Sequence, residues 1–275
     1  MSPEQTLRTL RARRPLVHSI TNLVVANLTA NALLAIGASP AMVEGIDEAA
    51  ELAAIADALV VNLGTMTRDR AEAMVLATAS ARAHRRPWVL DPVAVGVLDH
   101  RSRVAVALLE ARPDVIRGNA SEIIALARRA QIHQTDAVGG RGVDSGDTTE
   151  AALPAAMALA RATGAVVAVS GAIDRITDGV RLATIANGHE MMPLVTGLGC
   201  TASALIGACL AAAPPFEAAL HGALFTALAG EIAAEGATGP ATLQLRLIDT
   251  LHTLCAADLV RARLTDTHAT AQDQH

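Results

Sequence analysis

A glycine-rich turn leads into an apolar helix at Val195-Thr196-Gly197-Leu198-Gly199-Cys200-Thr201. Alternate glycines let the backbone turn sharply and let its N–H groups approach a ligand closely. The first N–H groups of the following helix lack intrahelical partners and lie at the positive end of its dipole, which favours an anion such as phosphate. Cys200 lies at the start of this helix, where a thiolate is favoured. The turn therefore indicates group transfer, and the structural alternative is a tight connection with an inert, buried cysteine.

The absence of lysine and tyrosine excludes several kinds of chemistry. A P-loop, a protein kinase and a Schiff-base enzyme all need a lysine, so none of them is possible here. If the chain handles phosphate, it must use arginine, backbone N–H groups and a metal ion.

The chain has 275 residues, of which 52% are hydrophobic, and this length and composition predict one large domain. The net charge of −5 argues against binding to nucleic acid or to anionic membranes. Residues 1–14 lack the apolar segment of a signal peptide, and the longest apolar segment, Ala202–Ala213, is too short to span a bilayer. The three cysteines, Cys200, Cys209 and Cys255, lack metal-ligand spacing and fit a reduced, cytoplasmic setting.

Short β-branched segments alternate with helical patterns through the first two thirds of the chain. Buried strands are predicted at Leu16–Ser19, Ala58–Asn62, Trp88–Asp91, Val115–Arg117 and Val166–Ser170. Helices are predicted at Asn27–Ile36, Glu48–Ala56, Arg68–His84, Ser102–Ala111, Ser121–Ala130 and Ala151–Thr163. This alternation predicts an α/β fold with a mostly parallel central sheet and helices on both faces.

The pattern changes in the last third of the chain. Asp178-Gly179 between two strand-like segments, Ile173–Thr177 and Arg181–Ala186, predicts a type I′ hairpin at the edge of the sheet. The remainder is predicted to be helical, over Thr201–Ala213, Phe216–Gly236 and Ala241–Leu264. Residues 1–265 are predicted to form a single domain, and the polar residues 266–275 a frayed tail.

Polar residues that follow the predicted strands should converge, because ligands of open α/β sheets bind beyond the carboxyl ends of the strands. Asp91 suits magnesium there, or forms a turn before Pro92. Arg117 is expensive to bury without an anion. Asn119 and Glu122 have capping-box spacing, which does not exclude metal contact by Glu122. His18 is either a general base or a structural histidine.

Several long blocks of the chain, in order, resemble the hydroxyethylthiazole kinase family. These blocks are Pro15-Leu16-Val17-His18-Ser19-Ile20-Thr21-Asn22, Thr29-Ala30-Asn31, Gly37-Ala38-Ser39-Pro40-Ala41-Met42, Asn62-Leu63-Gly64-Thr65, Leu90-Asp91-Pro92-Val93-Ala94-Val95-Gly96 and Ile116-Arg117-Gly118-Asn119-Ala120-Ser121-Glu122-Ile123. The glycine turn with Cys200 stands in the family's expected place. The likeness extends to about residue 263.

The resemblance implies a ribokinase-like three-layer sandwich. It implies ATP-dependent phosphorylation of the primary hydroxyl of 4-methyl-5-(2-hydroxyethyl)thiazole in thiamine salvage, and a homotrimer with active sites between subunits. It further implies the following residue roles. Asn22, Met42, Gly197 and Cys200 lie on the thiazole side, Arg117 and Ser170 on the nucleotide side, and Asp91 and Glu122 hold Mg²⁺. Cys200 would accept the proton of the alcohol or orient it.

Two positions depart from the family pattern. Ser170 stands where the family usually has threonine, and Leu198 where it usually has a small residue. The bulk of Leu198 is expected to narrow the pocket. Three alternative functions remain open at this point: another small-alcohol kinase of the same fold, a hydrolase with Cys200 as nucleophile and His18 as its base, and a non-catalytic nucleotide-binding protein.

Overall fold

A computed structural model describes residues 1–133 and 148–268 of the chain. Its centre is one sheet of nine strands. The strands are β1 (Leu16–Ile20), β2 (Ser39–Ala41), β3 (Ala58–Asn62), β4 (Trp88–Asp91), β5 (Val115–Asn119), β6 (Val166–Ser170), β7 (Asp174–Thr177), β8 (Arg181–Ile185) and β9 (Leu264–His268). All five strands predicted for the parallel part of the sheet are confirmed.

Helices cover both faces of the sheet. They are α1 (Pro3–Arg13), α2 (Ala26–Ile36), α3 (Ile46–Ile55), α4 (Arg68–Ala83), α5 (Asp99–Leu109), α6 (Ala120–Arg129), α7 (Leu153–Thr163), α8 (Leu198–Leu210), α9 (Pro215–Ala234), α10 (Pro240–Thr253) and α11 (Ala256–Leu259). Local signals explain several ends: Pro214 precedes α9, Thr67 caps α4 by accepting the Arg70 N–H, and Gly37 ends α2 at φ +108°.

Strand order in the sheet is β2-β1-β3-β4-β5-β6-β7-β8-β9. The first six strands in this order are parallel, and β7, β8 and β9 continue the sheet in antiparallel fashion. The parallel register brings Asn62 opposite Asp91 and Asn119 opposite Ser170. The carboxyl ends of β3, β4, β5 and β6 therefore meet at one edge of the sheet, as the sequence predicts.

Two apolar cores lie on opposite faces of the sheet, which confirms the three-layer α/β architecture. Residues along β3 alternate between them: Val60 contributes to one core, and Leu59 and Val61 to the other. The first core also receives α1, α2, α8, α9 and α10, and the second receives α4, α5, α6 and α7. Burial on both faces explains why the parallel strands are almost continuously apolar.

Helix α8 packs very closely on its neighbours. A Cβ at Gly207 would overlap Cγ2 of Val60 in β3. On the other side, a Cβ at Gly222 of α9 would lie 2.6 Å from the Cα of Ile206. The two glycines therefore let α8 lie directly against the sheet and directly against α9.

Two elements in the first part of the chain were not predicted, and two predictions in its last third are wrong. Helix α1 was not predicted, although Ser2 and Gln5 form a capping box there. Strand β2 was not predicted either; it contains Pro40, which is tolerated because β2 is an edge strand. Asp178 does not have the positive φ of a type I′ turn, and Thr177 pairs with Leu182, so the hairpin has a longer connection.

The second wrong prediction concerns the segment predicted as one helix over Ala241–Leu264. It breaks at Leu254, whose backbone is extended, because Arg11 of α1 donates to the carbonyl oxygens of Leu251, His252 and Leu254 at the end of α10. The chain then forms β9, so residues 266–268 of the predicted frayed tail are paired with β8. Their polar side chains are typical of an edge strand as well as of a tail. Residues 269–275 lie outside the described residues.

Candidate active site

The glycine turn forms the start of α8, as predicted. Gly197 is the N-cap at φ +90°, a backbone conformation that other residues rarely adopt, and a Cβ there would overlap Cγ1 of Val25. Within residues 1–133 and 148–268, no side chain caps this helix. Its first N–H groups are therefore available to an anionic ligand.

A chain of hydrogen bonds connects Cys200 with Asp91. Asn22 Nδ2 donates to Cys200 Sγ at 3.3 Å and to Asn62 Oδ1 at 3.0 Å. Asn62 Nδ2 in turn donates to Asp91 Oδ2 at 2.7 Å, and Ser203 Oγ of α8 donates to the same oxygen at 2.8 Å. The predicted alcohol side and the predicted metal side of the site are thus connected through Asn62.

Cys200 is not the thiolate that the sequence predicts. Burial, and after it the negative charge of Asp91, raise the pKa of its thiol to about 12, and Arg117, Asn62 and Asn22 only partly oppose this rise. Burial removes the hydration that would stabilise the charged thiolate. The thiol is therefore protonated at neutral pH.

Arg117 of β5 lies against the start of α8. Its Nη2 donates to Ser170 Oγ at 2.7 Å, and its Nη1 is 2.8 Å from the position that a Cβ of Gly199 would take. Burial raises the pKa of Asp91 and of Glu122, and the guanidinium charge partly opposes this rise. It is therefore placed to bind an anion between the helix and the two carboxylates.

Glu122 has the capping role predicted for it. Its Oε2 accepts the N–H of Asn119 at 2.9 Å, Asn119 Oδ1 accepts the N–H of Glu122 at 2.9 Å, and Glu122 Oε1 accepts the N–H of Ala94 at 3.0 Å. Burial raises the pKa of Glu122 to about 7, and the charge of Asp91 contributes to this shift. Each carboxylate oxygen has a second lone pair, so capping leaves room for a further ligand.

The carboxylates of Asp91 and Glu122 suit magnesium. Both are buried, and Asp91 uses only Oδ2 in the hydrogen bonds described above. No group of three or more His, Cys, Asp or Glu with metal-binding geometry exists in the described part of the chain. Mg²⁺ typically keeps several waters and takes one or two carboxylates together with substrate phosphates, so two carboxylates fit it.

Three further residues take no part in the hydrogen bonds described above. His18 is buried in β1 and its Nε2 contacts the carbonyl oxygen of Val43 at 2.7 Å; burial lowers its pKa. Its role is therefore structural, and it is not a partner of Cys200. Met42 is half-buried directly after β2, at the carboxyl edge of the sheet. Leu198 is buried, and its side chain packs within the apolar core.

Three polar residues at the site were not predicted. Asn62 links Asn22 to Asp91, and its place at the end of β3 was the available signal. Ser203 lies three residues after Cys200, which puts both on one face of α8. Asp174 accepts the N–H of Gly171 at 2.9 Å; burial raises its pKa to about 6, and nearby Arg117 opposes this.

Helices long and apolar enough to cross a membrane do not occur in residues 1–133 and 148–268.

Comparison with known proteins agrees with this architecture. Residues 7–257 match the hydroxyethylthiazole kinase family. A hydroxyethylthiazole kinase of Granulibacter bethesdensis is 59% identical over 92% of this chain and 90% of its own length. The structure of a hydroxyethylthiazole kinase from Pyrococcus horikoshii OT3 has a TM-score of 0.88 at 37% identity, covering 97% of this chain and 99% of that one.

A more distant structure shows the fold alone. It is a ribokinase-like superfamily protein from Enterococcus faecalis V583, with a TM-score of 0.64 at 12% identity, covering 93% of this chain and 95% of that one. The fold is therefore ribokinase-like. With a family match over most of its length and a relative at 59% identity, the chain belongs to the hydroxyethylthiazole kinase family.

Proposed function

We propose that this chain transfers the γ-phosphoryl group of ATP to the primary hydroxyl of 4-methyl-5-(2-hydroxyethyl)thiazole, a thiamine salvage step. Family membership supports the substrates. The hydrogen-bonded chain from Cys200 through Asn22 and Asn62 to Asp91, at the uncapped start of α8, is the observation that carries the proposal. Phosphoryl transfer depends chiefly on positioning and charge stabilisation, which this arrangement supplies.

On the alcohol side, Asn22, Met42, Gly197 and Cys200 would bind the thiazole. The half-buried side chain of Met42 suits an apolar ring that carries a methyl group. Because the thiol of Cys200 is protonated, it would orient the hydroxyl by hydrogen bonding, and it would not remove its proton. The N–H groups that begin at Gly197 would hold the transferring group.

On the nucleotide side, Arg117 and Ser170 would bind the phosphates of ATP. Their mutual hydrogen bond fixes the guanidinium before ATP arrives. Asp91 and Glu122 would hold Mg²⁺. The metal would supply charge neutralisation on the phosphate oxygens.

The protein would act in the cytoplasm as a homotrimer with active sites between subunits. Three unpaired cysteines agree with a reducing compartment. Leu23 and Val24, next to Asn22, are 68% and 67% exposed, which is unusual for adjacent large apolar residues and agrees with cover by a second subunit.

The test of the function is an ADP-release assay with ATP, Mg²⁺ and the thiazole alcohol. We expect ADP formation that depends on the alcohol and a phosphorylated thiazole as product. ADP release at the same rate with and without the alcohol, or no ADP release, would contradict the proposal. The same assay with a second primary alcohol of different shape, such as pyridoxal, separates this activity from that of another kinase with the same fold. We expect ADP formation with the thiazole alcohol and not with pyridoxal.

The protonation state of Cys200 leads to a prediction about its replacement. We expect Cys200→Ala to slow transfer by about tenfold with unchanged ATP affinity, whereas loss of a general base typically costs about 10²–10⁴-fold. Cys200→Ser, which keeps a hydroxyl donor, should be closer to the native rate. The pH–rate profile should be the same in all three proteins, because a thiol with a pKa near 12 does not ionise between neutral pH and mild alkali. An alkaline rise in rate that disappears in Cys200→Ala would restore the thiolate as base.

A further inference from the structure

Asn62 lies at the end of β3 and is fully buried among the site residues, with 1% of its surface exposed. Both ends of its side-chain amide are in use. Oδ1 accepts the N–H of Gly64 at 2.9 Å and Nδ2–H of Asn22 at 3.0 Å, and Nδ2 donates to Asp91 Oδ2 at 2.7 Å. A single buried amide thus contacts both sides of the site.

The orientation of this amide is determined by the backbone. A main-chain N–H only donates, so the Asn62 atom that faces Gly64 must be the oxygen. Rotating the amide by 180° would place its NH₂ group against that donor and its oxygen against the Asp91 carboxylate. Asn62 therefore has one orientation, in which it accepts on the Asn22 side and donates on the Asp91 side.

This orientation also determines the orientation of Asn22. Both hydrogens of Asn22 Nδ2 are engaged, one by Asn62 Oδ1 and one by Cys200 Sγ. Asn22 Oδ1 is then the atom left to accept a hydrogen bond from a ligand such as an alcohol. Without the Asn62 oxygen, nothing in the described network would distinguish the two orientations of the Asn22 amide.

We propose that Asn62 is a positioning residue that couples the alcohol side of the site to its phosphate side. Its oxygen presents Asn22 to the alcohol, and its NH₂ group holds the Asp91 carboxylate toward the phosphates. The proposal rests on the proposed function. Asn62 itself touches Asn22, Gly64, Asp91 and Cys200, so it acts through them.

Two substitutions at Asn62 separate its two contacts. Asn62→Asp keeps oxygen acceptors for Gly64 and Asn22 but replaces the donor to Asp91 with a second carboxylate oxygen, which repels it. Asn62→Ala removes both contacts. Ser203→Ala is the matched control, because Ser203 donates to the same Asp91 oxygen without contacting Asn22.

The experiment measures alcohol affinity by calorimetry without ATP or metal, and kcat with both. We expect Asn62→Ala to weaken alcohol binding by about tenfold or more, the effect of one lost hydrogen bond in a buried site. Asn62→Asp and Ser203→Ala should bind the alcohol within about twofold of the native protein, since each keeps the Asn22 contact. Asn62→Asp should lose about 100-fold in kcat, within the range for a displaced electrostatic group.

The coupling role is overturned if Asn62→Ala binds the alcohol with native affinity, or if Asn62→Ala and Ser203→Ala lose equal alcohol affinity. It is also overturned if Asn62→Asp has native turnover. If circular dichroism shows that Asn62→Ala does not fold, Asn62→Asp decides alone: retained alcohol affinity with lost turnover supports the role, and any other combination overturns it. A native enzyme without alcohol-dependent turnover would instead refute the proposed function, so the two failures are distinguishable.

Discussion

Replacement of Asp91 by asparagine is expected to reduce kcat by about 10²–10³-fold, the usual cost of removing a preorganised electrostatic group from an active site. The side-chain oxygen of asparagine can still accept from Asn62 and Ser203, which now donate to Asp91 Oδ2 at 2.7 and 2.8 Å. The other carboxylate oxygen becomes an NH₂ group, which cannot bind a metal ion. Steady-state kinetics at saturating ATP, alcohol and Mg²⁺ measure the loss.

The same variant is expected to be more stable than the native protein when metal is absent. Burial raises the pKa of Asp91 above its ordinary value of 3.8, so its ionised form costs folding free energy at neutral pH. An amide has no such cost. The gain in thermal midpoint, measured with a chelator, should be present at pH 7 and should disappear as the pH falls below about 3.8, where an unfolded aspartate also becomes protonated.

Asp114→Asn is the matched control for Asp91→Asn. Burial also raises the pKa of Asp114, but it lies before β5, at the opposite edge of the sheet, and accepts the N–H of Trp88 at 2.9 Å. It should therefore gain stability at pH 7 and keep native kcat. Equal losses of activity in the two variants, or native activity in Asp91→Asn, would contradict the role given to Asp91.

Replacement of Arg117 by methionine is the second large effect, with an expected loss of about 10³-fold in kcat, the lower end of what a transition-state arginine contributes. Arg117 provides a positive charge beside Gly199 and both carboxylates. Methionine keeps much of the side-chain volume, so the start of α8 should stay in place. The assay of ADP formation gives kcat, and nucleotide titration gives the change in ATP affinity.

Two variants separate the charge of Arg117 from its hydrogen bond. Ser170→Ala removes the 2.7 Å bond and keeps the guanidinium, so we expect a loss below about tenfold, as for a single hydrogen bond. Arg117→Lys keeps the charge without the planar fork and should be intermediate. If Arg117→Met and Ser170→Ala were equally impaired, positioning by Ser170 would matter more than charge.

Most of the parallel sheet could be predicted because its strands are buried on both faces and are therefore continuously apolar. The edge elements could not be, since edge strands carry polar residues or proline: β2 contains Pro40, and β9 resembles a polar tail. The break at Leu254 depends on Arg11, which is far away in sequence. Such a tertiary contact leaves no local signal.

The site was predicted in part for the same reasons. Asp91 at the end of β4 and Arg117 in β5 lie close together, as the topology of a parallel sheet requires. The ionisation of Cys200 was predicted wrongly, because helix position is visible in a sequence and the degree of burial is not. Asn62 was quoted within a motif, but its link between Asn22 and Asp91 becomes evident only from the distances.

The close packing of α8 has a consequence for ligand binding. With Gly207 against Val60 and Gly222 of α9 against Ile206, this helix packs closely on two sides, and close packing opposes its displacement. We therefore expect its amide end to keep the same position in the free and the ligand-bound protein. Little conformational entropy is then lost at this helix end when a ligand binds. If the site closes over its ligands, the loops around it must move, and their motion would limit the rates of ligand binding and product release.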